Sequence, residues 1–511
     1  MALDSLAPNV TIGIVGTGAM GRGIAQIAAV AGCHVLLLDN RPGAAQDARD
    51  QVVAMLAKLV EKAKITAEAA DHAARSLCPV REITDLRDCH LVIEAIVESM
   101  DAKQDLVRQL EAVVTSDCVI ASNTSSLSVT AIAAIATHPE RVAGFHFFNP
   151  VPLMKVVEVI GGVRTAPWVI DQLSALATRM GHQPVPCQDS PGFVVNHAGR
   201  GYILEALKVV GEGVADFATV DRIMRDSCGF RLGPFELMDL TGLDVTHPVM
   251  ESIYRQFYDE PRYRPSPITR QRLAAGLLGR KSGCGFYDYG NKAKAGAPSA
   301  PPRSRPPSVW VAPGDGGVLV VSLLQALGIN IESAAAPSDQ ALCLVAPLGE
   351  DCTAAALRLG LDPRRTVAVD TLPELGGHRT LMVNPLTRPD MRDAAHGLFA
   401  EDGVGVSVIN DSPGFVAQRI LAAIVNVGSD IAQSRIAAPR DIDHAVTLGL
   451  AYPFGPLAWG DKLGAERVLR SLNSMLALTG DPRYRPSPWL RRRAGLGISL
   501  LIAENEGNTH D

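Results

Sequence analysis

Val10-Thr11-Ile12-Gly13-Ile14-Val15-Gly16-Thr17-Gly18-Ala19-Met20-Gly21 is the stretch that decides the fold. Residues 10–15 form a short apolar run of the kind buried in a sheet, and residues 20–31 form a helical stretch. Between them the glycines stand at the spacing GxGxxG. Gly16 permits a tight turn, Gly18 lets backbone approach a pyrophosphate, and Gly21 lets helix and strand pack closely. The unsatisfied N–H groups at the helix start suit phosphate. A second apolar run, 34–38, ends at Asp39, whose carboxylate suits both ribose hydroxyls and repels a 2′-phosphate. The pattern predicts a dinucleotide site of Gly16, Gly18, Ala19, Met20, Gly21 and Asp39 that favours NAD over NADP, a preference tempered by Arg41.

Outward from this turn, residues 44–64 repeat apolar positions at Val52, Leu56, Leu59, Val60 and Ala63, the stripe of an amphipathic helix. Further strands are expected at 91–97, 118–121, 142–148 and 156–160, with helices in most of the gaps. Such alternation implies an α/β fold with a mostly parallel, doubly wound sheet. From Asp189 to about Tyr287 the pattern is helical only, with Ser190 expected to cap a helix carrying Pro191 in its first turn. Residues 288–308, rich in Pro, Ala, Ser and basic residues, read as a linker.

The sequence then repeats itself. Asp-Ser-Pro-Gly-Phe-Val at 189–194 returns at 411–416, and Gly233-Pro234 returns as Gly455-Pro456, both at an offset of 222. PRYRPSP at 261–267 returns at 482–488, offset 221. The division expected is 1–188 sheet domain, 189–287 helical domain, 288–308 linker, 309–410 degenerate sheet domain, 411–503 second helical domain and 504–511 tail. Gly314-Asp315-Gly316-Gly317 after Pro313 reads as lacking the fingerprint spacing, so no second nucleotide site is expected.

Composition narrows the class. With 47% hydrophobic and 20% charged residues the chain is ordinary for a globular protein, and its net charge of -6 offers no basic surface for nucleic acid. No apolar run reaches the ~18 residues of a membrane span. No charged-then-apolar leader is read in MALDSLAPN. The nine cysteines contain no CxxC pair, so neither a disulfide framework nor a metal site is expected, and a cytoplasmic location fits.

Two strands carry polar groups. Ser122-Asn123-Thr124-Ser125-Ser126 follows a strand at its carboxyl end, where open α/β sheets bind ligands. His146 sits in Gly-Phe-His-Phe-Phe-Asn-Pro (144–150), and Glu158 interrupts the apolar run 156–160. A lone buried His is ordinarily a satisfied core residue, and a lone strand Glu ordinarily an ion-pair partner. Beside a dinucleotide turn they gain another meaning, because oxidising an alcohol needs a base, and a carboxylate on the other imidazole nitrogen would fix its tautomer. Periodicity leaves open whether these two touch.

GTGAMG, residues 92–99, SNTSSL (122–127), HFFNPVPLMKVVEV (146–159), DSPGFVVN (189–196), GPFELMDLTGLD (233–244) and KSGCGFY (281–287) together resemble the signatures of the L-3-hydroxyacyl-CoA dehydrogenase family. The resemblance covers about 8–287, with the helical module repeated at 411–503. It implies oxidation of the 3-hydroxyl of an (S)-3-hydroxyacyl-CoA, with NAD as hydride acceptor. It makes His146 the general base, Glu158 its partner, and Ser125 and Asn196 the groups that bind the substrate oxygen. Glu98, Lys103, Asn123, Asn149 and Lys281 match positions lining the NAD site, with caps or ion pairs as the plain alternative. Lys58, Lys62 and Lys64 fall near the CoA phosphates, a solvated charged face being the alternative there.

The two-module bacterial members that this chain most resembles are often assigned to 3-hydroxyadipyl-CoA in phenylacetate breakdown, with 3-hydroxybutyryl-CoA as the close alternative. Arg200 and Arg231 are candidate cations for a second substrate carboxylate. In the second half Gln418 replaces the equivalent of Asn196, and Leu381 stands at His146 if Asn384-Pro385 echoes Asn149-Pro150, so that half is not expected to catalyse. Its expected role is a monomer with an internal pseudo-dimer, or a homo-oligomer, since single-module members pair helical modules between subunits. A non-catalytic nucleotide-binding interaction protein is the rival from another class, and intact Ser125, His146, Glu158 and Asn196 argue against it.

Overall fold

A computed structural model describes residues 3–290, 301–302 and 304–504; most of the expected linker and tail lies outside the described residues. The chain divides into two compact units, Met1–His197 with Ser434–Leu450, and Ala198–Gln433 with Ala451–Asp511.

The first unit is built on an eight-stranded sheet of β1 (Thr11–Val15), β2 (His34–Leu38), β3 (Leu77–Pro79), β4 (Leu91–Glu94), β5 (Val119–Ser122), β6 (Val142–Phe147), β7 (Val156–Gly161) and β8 (Gln183–Gln188). Their order is β3-β2-β1-β4-β5-β6-β7-β8. All neighbours run parallel except β6 and β7, as the alternating pattern implied. Alternate strand residues face opposite sides, so Leu91, Ile93, Val119 and Ala121 enter one apolar core, and Val92 and Ile120 the other. Burial on both faces is what a crossover-connected parallel sheet requires.

Two strands escape the sequence pattern. β3 is three residues ending in Pro79, and β8 reads QPVPCQ. In β8 the Gln183 amide donates inward to the Lys155 carbonyl, while the Gln188 amide donates outward to the Ile436 carbonyl. Pro184 and Pro186 therefore place their missing N–H groups on the outer edge, where a strand tolerates them. That edge is covered by the segment from Ser434, through a bridge between Cys187 and Ala437. The helix Pro439–Leu450 follows, with Gly449 against Val156 and Val195.

The second unit holds most of both helical modules, without residues 189–197 of the first and 434–450 of the second, and a smaller sheet of β9 (Ser308–Val311), β10 (Ala341–Val345), β11 (Thr366–Val369), β12 (Arg379–Val383) and β13 (Val406–Asn410), in the order β13-β12-β11-β10-β9. The helices Arg200–Gly211 and Val416–Gln433 approach so closely that a Cβ on Gly201 would meet the Ile424 Cα at 2.9 Å. The repeated PRYR turns exchange hydrogen bonds: Arg262 donates to the Arg485 carbonyl at 2.7 Å, and Arg483 to the Pro261 carbonyl at 3.5 Å. Arg419 is fully buried there, held by Glu205 and Glu212 at 2.7 Å each and by the Tyr484 hydroxyl at 3.0 Å.

The smaller sheet corrects two readings. Its antiparallel pair is β11 with β12, matching β6 with β7, so Asn384 follows the counterpart of β7 and does not echo Asn149. Val369 faces Leu381, and the Asp370 amide donates to the Thr380 carbonyl, which sets Asp370 and Thr380 where the first sheet has His146 and Glu158. Leu381 is not the counterpart of His146. The glycine spacing is the second correction. Counted from the end of the strand, Ala312-Pro313-Gly314-Asp315-Gly316-Gly317 runs AxGxxG, with Gly314 and Gly317 at the positions of Gly18 and Gly21.

Candidate active site

The β1 turn is shaped as the fingerprint demands. Gly16 has φ +91° with the Ala95 carbonyl against it, and a Cβ on Gly21 would collide with the Gly16 carbonyl at 1.9 Å. Gly18 faces open space, which leaves room for a phosphate beside the helix Ala19–Val30. Asp39, at the end of β2, accepts the Thr17 amide and hydroxyl on one oxygen at 2.8 Å each, and the Arg41 amide and guanidinium on the other at 3.0 and 3.2 Å. Burial opposes its charge, but these four hydrogen bonds prevail and hold the carboxyl at about 2. The turn, the open glycine and the anionic Asp39 thus fit NAD.

Across the antiparallel pair His146 stands directly opposite Glu158, with Nδ1 2.6 Å from Oε2. Both are buried. The other oxygen, Oε1, accepts the Val194 and Val195 amides at 2.9 and 2.8 Å. Each such charge-assisted bond contributes about 1.5–3 kcal/mol, so the carboxylate is strongly fixed. Since a carboxylate accepts, Nδ1 carries the imidazole proton and Nε2 presents its lone pair. The rings of Phe148 and Phe193 flank the imidazole at 4.4 and 5.9 Å.

These amides correct another expectation. Helix begins at Val195 rather than at Ser190, and the leading N–H groups are satisfied by Glu158. Asp189 turns elsewhere, accepting the Ser128 hydroxyl and Thr130 amide at 2.7 Å each. Asp411 does the same in the second copy, accepting the Cys352 and Thr353 amides at 2.7 and 3.2 Å.

The Ser122–Ser126 loop is organised by carboxylates the sequence did not fully reveal. Glu98 Oε1 accepts the Thr124 hydroxyl at 2.7 Å, the Ser125 amide at 2.9 Å and the Ser126 amide at 3.1 Å, and these bonds lower its pKa against burial. Lys103 is wholly buried, bound to both Glu94 oxygens at 2.9 Å, with Glu98 at 3.5 Å. Glu94 also accepts the Ser122 hydroxyl; burial pushes its carboxyl up against the pull of Lys103. Lys103 is therefore an internal ion pair under the loop. Asn123 accepts the Phe147 amide at 2.9 Å, beside His146, and Asn196 donates to the Ser125 carbonyl at 3.4 Å. Ser125, Asn196, His146 and Glu158 thus belong to one linked framework in the first unit.

A cleft of 980 Å³ opens beside the helices Ala19–Val30 and Ala44–Glu61. Apolar Ile27, Val30, Met55 and Leu59 line it, with Asn149, Lys58 and Lys64 at its wall; Lys62 is not among the lining residues. Arg22 and Lys155 join them, and their wide separation in sequence gave no signal. Three of the expected residues, Arg200, Arg231 and Lys281, fall in the second unit. Lys281 pairs there with Asp244, and Arg200 is buried, its pKa lowered to about 10 by desolvation. All nine cysteines are free, and among the described residues no cluster could hold a metal and no helix is long and apolar enough to cross a membrane.

A glycine turn for a dinucleotide, with a histidine–glutamate pair in the same unit, defines the class of NAD-dependent dehydrogenases. Comparison with known proteins supplies the rest. Residues 11–190 match the model of the 3-hydroxyacyl-CoA dehydrogenase NAD binding domain, and residues 192–289 and 414–498 each match that of the C-terminal domain. A 3-hydroxyadipyl-CoA dehydrogenase of Escherichia coli is 38% identical over 95% of this chain and 97% of its own. A probable 3-hydroxybutyryl-CoA dehydrogenase of Deinococcus radiodurans is 40% identical over 54% of this chain and 99% of its own. The crystal structure of an Escherichia coli 3-hydroxybutyryl-CoA dehydrogenase superposes with a TM-score of 0.83 and 37% identity, covering 95% of this chain and 98% of its own. The chain belongs to the 3-hydroxyacyl-CoA dehydrogenase family and is an NAD-dependent oxidoreductase acting on 3-hydroxyacyl-CoA.

Proposed function

We propose that His146 is the general base of this reaction and that the preferred substrate is (S)-3-hydroxyadipyl-CoA. The observation that carries the first part is the His146–Glu158 contact of 2.6 Å, with Glu158 locked by two amides. His146 Nε2 removes the hydroxyl proton as the C3–H bond releases its electron pair; Glu158 steadies the imidazolium that forms. NAD, when bound, supplies the acceptor for that hydride. Ser125 and Asn196 hold the substrate oxygen, and Asp39 favours NAD through the ribose. The CoA portion lies along the 980 Å³ cleft, its phosphates met by Lys58 and Lys64.

For the acyl group, support comes from the two-module relative named for 3-hydroxyadipyl-CoA, which this chain matches over 95% of its length. The solved two-module structure named for 3-hydroxybutyryl-CoA favours the shorter substrate as a second reading. Comparing kcat/KM for 3-hydroxyadipyl-CoA and 3-hydroxybutyryl-CoA decides between them: a preference for the methyl-ended substrate overturns the first. We further propose a cytoplasmic monomer, its two helical modules forming a pseudo-dimer within one chain. A mass of two or more chains by light scattering would refute the monomer.

A further inference from the structure

The second unit carries a cavity of about 420 Å³ at the turn after β9. Its floor is Ala312–Gly317, its wall the Val345–Leu348 segment leaving β10, and Arg358, Arg467, Arg470 and Thr371 complete the lining. The turn keeps two of the three glycine functions seen at the NAD site. A Cβ on Gly317 would strike the Ala312 carbonyl at 2.1 Å, as one on Gly21 would strike Gly16 at 1.9 Å; Gly314, like Gly18, faces open space. The helix Asp315–Ala326, twelve residues long, starts there.

Two further observations are independent of the helix start. The first is charge. Arg467 donates to the Thr371 carbonyl at 2.6 Å, Arg358 pairs with Glu350 at 2.7 Å, and Arg470 lies 3.7 Å from Asp315. Three guanidinium groups against two carboxylates leave the pocket cationic. The second is the Thr371 hydroxyl. Thr371 is 1% exposed, lines the cavity, and its Oγ1 would lie 2.8 Å from a Cβ on Gly316, yet among the described residues it has no hydrogen-bond partner. A buried hydroxyl left unpaired is costly unless something supplies the bond.

We infer that this turn is a second anion site, which takes a phosphate compound the size of a nucleoside diphosphate. A full dinucleotide read as at the first site is disfavoured. The counterpart of β2 is reduced to a single bridge between Val309 and Ile331, and no acid stands at the position of Asp39. The phosphates sit over Gly314 and the leading amides of the helix, within reach of the Thr371 hydroxyl, and the arginines close over them.

The test uses the full chain saturated with NADH, which fills the first site, and ADP as the probe in calorimetry. The expected result is one ADP bound per chain. Arg470→Glu and Arg358→Glu weaken it roughly tenfold or more, while the pair Lys58→Glu and Lys64→Glu leaves it unchanged. The arginine variants keep the turnover and melting temperature of the parent, which separates lost binding from lost folding. Absence of ADP binding beside NADH overturns the inference. So does binding that the lysine pair removes, or that survives both arginine reversals.

Discussion

Glu158 joins His146 to the turn bearing Asn196, taking the imidazole on one oxygen and the Val194 and Val195 amides on the other. The same side chain therefore sets the imidazole tautomer and anchors the segment expected to hold the substrate oxygen. Replacing it by glutamine keeps the size but offers an NH₂ group to partners that all donate. Glu158→Gln is expected to lower kcat on the order of 10³- to 10⁴-fold, with KM for NAD little changed. His146→Ala is expected to match it. Steady-state NADH formation checks both, and near-parental turnover in either variant refutes the assignment.

On the proposed reading, Asp39 sets the choice of dinucleotide. Its folded value of about 2 lies below the ordinary 3.8, so the stability it contributes is present above about pH 4 and is lost as pH falls toward 2. The carboxylate stays charged throughout the neutral range, and the NAD preference is expected to be flat from about pH 6 to 9. Asp39→Ala, with Arg41 retained, is expected to shift the NAD-to-NADP ratio of kcat/KM roughly tenfold or more toward NADP. An unaltered ratio would remove Asp39 from cofactor choice.

The cleft distinguishes its lysines. Lys58 and Lys64 line it, and Lys62 does not. Lys58→Glu and Lys64→Glu together are expected to raise KM for acyl-CoA roughly tenfold with kcat nearly constant, the pattern of lost uniform binding. Lys62→Glu serves as the comparison, and an equal effect there would point to general surface charge.

Arg419 tests the internal pairing of helical modules. Its guanidinium is buried against Glu205, Glu212 and Tyr484. Arg419→Ala leaves Glu205 buried without its main partner and is expected to cost about 3–5 kcal/mol in chemical unfolding. A loss below about 1 kcal/mol would class the contact with exposed ion pairs. Deleting residues 300–511 removes the helix Val416–Gln433 from against Arg200–Gly211, and a soluble, active, monomeric fragment would contradict the pseudo-dimer.

Asp370 gives the second sheet a pH dependence. Burial raises its carboxyl to about 6 despite hydrogen bonds from Gln418 and the Leu372 amide. Between the unfolded value near 4 and the folded value, the native chain holds more protons than the unfolded one. Stability therefore falls as pH rises through that window and stays lower above it. In Asp370→Asn the stability difference between about pH 4 and 7.5 is expected to shift by on the order of 3 kcal/mol in favour of the higher pH. Parallel pH profiles for parent and variant would exclude this titration.

Legibility in the sequence followed the range of the interactions. The β1 turn and Asp39 were readable because their meaning lies in local spacing. His146 and Glu158 were visible as polar residues on apolar strands, but their contact depends on strand pairing, and the resemblance was needed to join them. The helix start at Ser190 was misjudged because the group satisfying the Val194 and Val195 amides lies some 36 residues away, in β7. β3, only three residues ending in proline, and β8, interrupted by Pro184 and Pro186, give no clear alternating signal. In the second half, one Asn-Pro echo outweighed strand count and gave the wrong counterpart for His146. Only the antiparallel pairing of β11 with β12 brings Asp370 to that position.

The segment Ser434–Leu450, which covers β8, carries a consequence for synthesis. The first unit contains the His146–Glu158 pair, yet its final piece emerges from the ribosome roughly 250 residues after His197. At ~5–20 residues per second that is a delay of about 10–50 s. During that interval the outward Gln188 amide and the outer edge of β8 await their partner. The unit that holds the His146–Glu158 pair is therefore completed only once residue 450 has been made, and its folding is bound in time to translation of the second unit.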